Sequence, residues 1–150
     1  MSNLIVWDID FGRVINGEWQ SGCIARPPFK TVVNVKLSFL NNSRKIIKYA
    51  TFYFTPYNRV GDSVEYQMKM LFTGPLESEY YMENFSTMEE WNNDTISSIV
   101  LDKVEVEYMD GTQETLNNKD IDFYCPIKED NQEISDQNFI GKFFSWIKNL

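Results

Sequence analysis

Residues 31–42 read TVVNVKLSFLNN, and the spacing of their apolar side chains decides the fold class. Val33, Val35, Leu37 and Phe39 fall on alternate positions, with Asn34, Lys36 and Ser38 between them. Successive side chains of a β-strand point to opposite faces, so this pattern buries one face and wets the other. A half-buried strand of about nine residues is expected here.

The pattern continues downstream. In IIKYATFYFTPY, residues 46–57, Ala50, Phe52 and Phe54 form one row, while Ile47, Tyr49, Tyr53 and Tyr57 fall near or on the other. Apolar or aromatic groups on both faces suit a central strand with tyrosines at its margin. In residues 64–74, VEYQMKMLFTG, Val64, Tyr66, Met68, Met70 and Phe72 alternate with Glu65, Gln67 and Lys69. Residues 95–116 set Val100, Asp102, Val104, Val106 and Tyr108 against Lys103, Glu105 and Glu107, with Asp110-Gly111 as a hairpin signal. Shorter strands are expected at residues 4–9, 14–19 and 122–125. About seven strands with short connections and no intervening helix predict an all-β, antiparallel, immunoglobulin-like sandwich, with a barrel as the alternative.

The stretch TPYNRVGDSVEY, residues 55–66, lies between two of these strands. Pro56 lacks a ladder donor, Asn58 tolerates left-handed backbone angles, and Gly61 supplies a positive φ. Asn58 and Asp62 can accept bonds from local amides as Asx-turns do, so the stretch reads as a turn with Arg59 at its tip, free to meet a partner. After residue 127 the pattern changes. Residues 128–138, KEDNQEISDQN, are polar, and in NFIGKFFSWIKNL Phe139, Phe143, Ile147 and Leu150 repeat by four, four and three. The spacing predicts an amphipathic helix capped by Ser135 or Asp136 and weakened by Gly141. The expected organisation is a sandwich over residues 1–130, then a polar linker and helix over 131–150. The helix packs on the sandwich; contact of residues 139–150 with a membrane surface through Lys142 and Lys148 is the less favoured alternative.

Composition narrows the function. The 150 residues are 43% hydrophobic and 15% aromatic, enough for one packed domain. No run approaches the ~20 apolar residues of a membrane span, and MSNLIVWDIDFGR has no basic leader, so the expected location is cytoplasmic. The chain has no histidine, which removes Ser-His and Cys-His nucleophiles and the commonest transition-metal ligand. Cys23 and Cys125 lie far apart with no CxxC spacing and no local basic partner to lower a thiol pKa, so neither reads as a nucleophile; two free thiols are expected in a reducing compartment, with a disulfide open only to an exported protein. Asp8 and Asp10, two apart on an expected strand, lack a third ligand at a recognisable spacing, and Asn92, Asn93 and Asp94 read as a turn. No phosphate-binding, dinucleotide, EF-hand or nucleophile-elbow motif is present. No enzyme activity, cofactor or metal site is expected.

The net charge of −8 is uneven, and residues 77–94, ESEYYMENFSTMEEWNND, contain six acids and no base. Such a run keeps an edge solvated; it also suits a basic protein partner and disfavours direct nucleic-acid binding. Candidate partner contacts are Arg59, Glu77, Glu79, Glu83, Glu89, Glu90 and Trp91. A small acidic inhibitor, of the immunity or anti-defence kind, would use the same acids against a basic active site. A carbohydrate or cell-wall module would use Tyr80, Tyr81 and Trp91.

Five separated blocks carry a family resemblance. Asn41, Ser43, Lys45 and the following Ile47-Lys48-Tyr49, then PYNRVGD at 56–62, Gly74-Pro75, Trp91 with Asn92, and YMDG at 108–111 resemble bacterial FxLYD or immunoglobulin-like β-sandwich modules across residues 31–116. Asn92 stands where that pattern has tyrosine. The resemblance implies a non-catalytic sandwich. Such modules commonly follow a membrane anchor or a zinc ribbon; with neither in this sequence, it suggests separate intracellular use in a bacterium or its phage.

Overall fold

The computed structural model describes residues 2–15, 18–21, 32–87 and 89–124. They form ten strands: β1 Leu4–Ile15, β2 Glu18–Ser21, β3 Val32–Asn41, β4 Ile47–Tyr57, β5 Met68–Leu76, β6 Tyr81–Ser86, β7 Trp91–Asn92, β8 Ser98–Tyr108, β9 Gln113–Asn117 and β10 Asp122–Tyr124. A single 3-10 turn spans Asn118–Asp120. One sheet runs β10-β1-β3-β6, with β2 extending β1 and β7 extending β3; the other runs β5-β4-β8-β9. The two sheets make the expected β-sandwich. The helix expected at 139–150, Cys23 and Cys125 lie outside the described residues.

The core forms where the alternating rows meet. Val33, Val35, Leu37 and Phe39 of β3 face Ala50, Phe52 and Phe54 of β4, with Met68, Met70, Val104 and Val106 beside them, all buried. Phe39 packs at 4.9 Å from Phe52 and edge-on at 5.1 Å from Phe72, which meets Phe85 edge-on at 5.6 Å. Each such ring contributes about 1.5–3 kcal/mol through burial, with geometry-specific ring contacts adding about 0.5–1.5 kcal/mol per pair.

Several expectations need correction. The strand expected at 14–19 is divided between β1 and β2, which pair antiparallel, Ile15 with Glu18 and Val14 with Trp19. β10 pairs with β1 in parallel, so the sheet is not wholly antiparallel. β5 begins at Met68, leaving Tyr66 exposed. In β8 the pairing passes from Tyr53–Lys103 to Phe54–Leu101, so Asp102 is an extra, bulged residue. One extra residue exchanges the two faces, which buries Leu101 and leaves Val100 exposed, contrary to simple alternation. A second bulge between Trp7 and Asp10, where Asp8 has φ 52°, interrupts the alternation that would align Asp8 with Asp10.

Candidate interaction surfaces

Two surfaces carry the candidate residues. The first lies at the end of the sandwich where β4 leads into residues 58–62. The Asn58 side-chain oxygen accepts from the amides of Val60 (3.1 Å) and Asp62 (3.0 Å), and the Asn58 amide donates to the Asp62 carbonyl (2.9 Å). Gly61 takes φ 85° with open space around its α-carbon. The stretch is the expected turn, closed on itself by one asparagine. The neighbouring turn is built the same way, with Asn93 Oδ1 accepting from the Thr95 amide (2.8 Å) and hydroxyl (2.6 Å). Between the two turns lies an open groove of about 600 Å³, with Phe11 and buried Ile96 against Asn58, Arg59, Val60 and Asp94. Arg59 is exposed and Val60 is 80% exposed. The groove draws on three distant parts of the chain, so no local motif announces it.

The second surface follows β6, an edge strand bonded to β3. Glu77 and Glu79 lie in the β5–β6 connection, Glu83 on β6, and Glu89 and Glu90 beyond its far end; all five are exposed. Both ends are fastened by backbone and amide bonds. The Glu79 amide donates to the Asn41 carbonyl (2.8 Å). Asn34 donates through its side-chain amide to the carbonyls of Thr87 (2.7 Å) and Glu89 (2.9 Å), and the Tyr66 hydroxyl donates to the Glu90 carbonyl (3.0 Å). The five carboxylates take part in neither the Lys45–Asp110 nor the Lys103–Glu105 ion pair. Their field is felt nearby: burial first, then the charges of Glu89 and Glu65, push the Tyr66 phenol above its usual range. β6 is also bulged at Asn84, whose φ is 53° and whose amide donates to the Ser38 hydroxyl (3.0 Å). Bulges and charges blunt an edge against strand addition, so this edge offers side chains rather than a free ladder.

Trp91 is corrected. It is fully buried in the inter-sheet core, with its indole N–H donating to the Tyr66 carbonyl (2.9 Å). A ring so placed pins the 64–67 segment and offers nothing to a partner or a sugar, because β7 turns it inward at its Asn92–Val32 and Trp91–Val33 pairing. Tyr80 and Tyr81 remain exposed. Arg59 shares its end of the sandwich with Glu89 and Glu90, whereas Glu77 and Glu79 sit at the opposite end, so the candidates form an edge-long band and a separate groove rather than one site. Among the described residues no group of three or more acids or thiols is placed to hold a metal ion, and no helix is long and apolar enough to cross a membrane.

No protein-family model and no curated protein matches the chain. Among solved structures, IrmA from Escherichia coli is similar, with TM-score 0.51 and 13% identity over 86% of this chain and 98% of that one. At that identity the likeness is one of fold.

Proposed function

We propose that the protein is a non-catalytic interaction module that binds a basic protein partner along the acidic β6 edge. The observation that carries this is a run of five exposed glutamates over the length of the sandwich, none neutralised by an ion pair among the described residues. Unneutralised charge held on a fastened scaffold steers a complementary surface and loses little freedom on binding. The resemblance to non-enzymatic bacterial sandwich modules points the same way.

The bonds that hold the Thr87 and Glu89 carbonyls to Asn34 and the Glu90 carbonyl to Tyr66 also favour a second possibility, an inhibitor that presents Glu89 and Glu90 to a basic active site. The test uses the full chain as bait beside a variant in which Glu77, Glu79, Glu83, Glu89 and Glu90 are all glutamine. Retention of a basic partner by the first and its loss from the second is expected. Equal retention by both overturns the proposal, and loss of the partner's enzymatic activity on binding selects the inhibitor.

A further inference from the structure

The two outer faces of the sandwich differ. On the four-stranded sheet most outward side chains meet water: Leu71 is 53% exposed and Lys69 and Glu105 are exposed, while Tyr53, 8% exposed, lies under the ammonium groups of Lys69 and Lys103. On the six-stranded sheet the outward positions of β1 and β3 are Ile5, Trp7, Ser38 and Leu40, paired Ile5–Leu40 and Trp7–Ser38. They alternate with Leu4, Val6, Leu37 and Phe39, which enter the inter-sheet core. Ile5, Trp7 and Leu40 do not belong to that core, yet their exposures are 0%, 3% and 2%. Strand neighbours shield the flanks of such groups. Tyr81 lies 6.1 Å from Trp7, ring to ring, and β10 sets Asp122 beside Ile5 and Tyr124 beside Trp7. An outward row this apolar is the kind of sheet face that a further layer of chain covers.

We propose that this face is the docking surface for the chain's own apolar stripe, Phe139, Phe143, Ile147 and Leu150. β10 ends at Tyr124, at the rim of the patch. Residues 125–138 give a reach of up to about 50 Å, far more than the width of a few strands at ~4.8 Å spacing. A stripe repeating by four, four and three presents one continuous apolar side, the form that covers a sheet face. Residues 22–31, GCIARPPFKT, offer only Ile24 and Phe29 as large apolar groups, interrupted by Pro27 and Pro28. Tethering places the stripe at an effective concentration near the millimolar range, so modest contacts suffice.

The test is made in the full chain carrying Cys23→Ser and Cys125→Ser. Leu40→Cys combined with Ile147→Cys is expected to form an intramolecular disulfide in most molecules under oxidised glutathione, whereas Leu71→Cys with Ile147→Cys is not. Absence of the first crosslink, equal crosslinking of the control, or disulfide-linked dimers each overturn the proposal, the last assigning the face to a second copy. Flotation of the full chain with anionic phospholipid vesicles also overturns it and assigns the stripe to a membrane. A second measurement keeps the cysteines out. With Trp19 and Trp146 changed to Phe, adding Phe143→Asp and Ile147→Asp is expected to raise acrylamide quenching of Trp7 severalfold, with core-buried Trp91 reporting that the sandwich remains folded. Unchanged quenching contradicts the docking.

Discussion

Replacing Asn41 with alanine is expected to cost about 3 kcal/mol. Asn41 is fully buried. Its side-chain amide donates to the carbonyls of Lys45 (2.8 Å) and Leu76 (2.9 Å), and its oxygen accepts from the Ser43 amide (3.1 Å) and hydroxyl (2.6 Å). One asparagine thus closes the β3–β4 turn and ties it to the end of β5. In the alanine variant the Ser43 hydroxyl still reaches the Lys45 carbonyl (3.0 Å). The Leu76 carbonyl and the Ser43 amide are left without these partners, each at about 1–3 kcal/mol. A loss near 3 kcal/mol lowers Tm by roughly 6–12 °C in a chain of this size. Asn41→Asp adds a second check. A carboxylate there faces two carbonyls with no donor, so its folded pKa rises above the unfolded value near 3.9. The damage is therefore small below about pH 4 and grows as pH rises past it, because only the protonated acid donates. Urea melts followed by circular dichroism at several pH values measure both. A loss below about 1 kcal/mol for Asn41→Ala, or a pH-independent Asn41→Asp, refutes the reasoning.

Three further outcomes are expected. Trp91→Phe removes the indole bond to Tyr66 and part of a filled core site, lowering stability by about 2 kcal/mol in the same melts. Tyr108→Phe removes a hydroxyl that donates to Glu114 at 2.7 Å and costs about 1–2 kcal/mol at neutral pH. Burial first, then Glu114, raise the Tyr108 pKa, so this group's contribution is constant below about pH 10, the unfolded value, and falls above it; the phenylalanine variant should show a shallower alkaline decline. Gly74→Ala would place a β-carbon 2.2 Å from the Ile47 carbonyl oxygen and 2.9 Å from the Leu76 amide, both backbone atoms, and is expected to lose at least about 2 kcal/mol of stability in urea melts.

The sandwich was legible because its central strands obey the period-two rule with few interruptions. β3 and β4 place the anticipated rows, Val33 to Phe39 and Ala50 to Phe54, in the core. The rule fails wherever an extra residue enters a strand. Nothing in LDKVEV marks Asp102 as bulged, since the bulge is set by the bonds it accepts from Thr55 and Gln67 on neighbouring segments. Likewise β6 reads as an acidic, solvated run because an edge strand buries little; only its hydrogen bonds to β3 identify it as a strand. The motif residues Asn41, Ser43, Gly74 and Asn58 turn out to hold turns and a close strand approach, which explains their spacing without chemistry. Trp91, expected at the surface from its polar neighbours in sequence, is buried because β7 turns it inward. The groove of Phe11, Arg59 and Asp94 was invisible for another reason: only tertiary structure brings its walls together.

The most direct measurement is the association rate of the captured basic partner with the full chain between about 0.05 and 0.5 M salt, where the Debye length shortens from roughly 14 to 4 Å. For the native chain the rate should fall steeply with salt, and for the five-glutamine variant it should start low and change little. Parallel curves with equal rates for the two proteins would show that the acidic edge is a solvated rim and that binding, if any, belongs elsewhere on the sandwich.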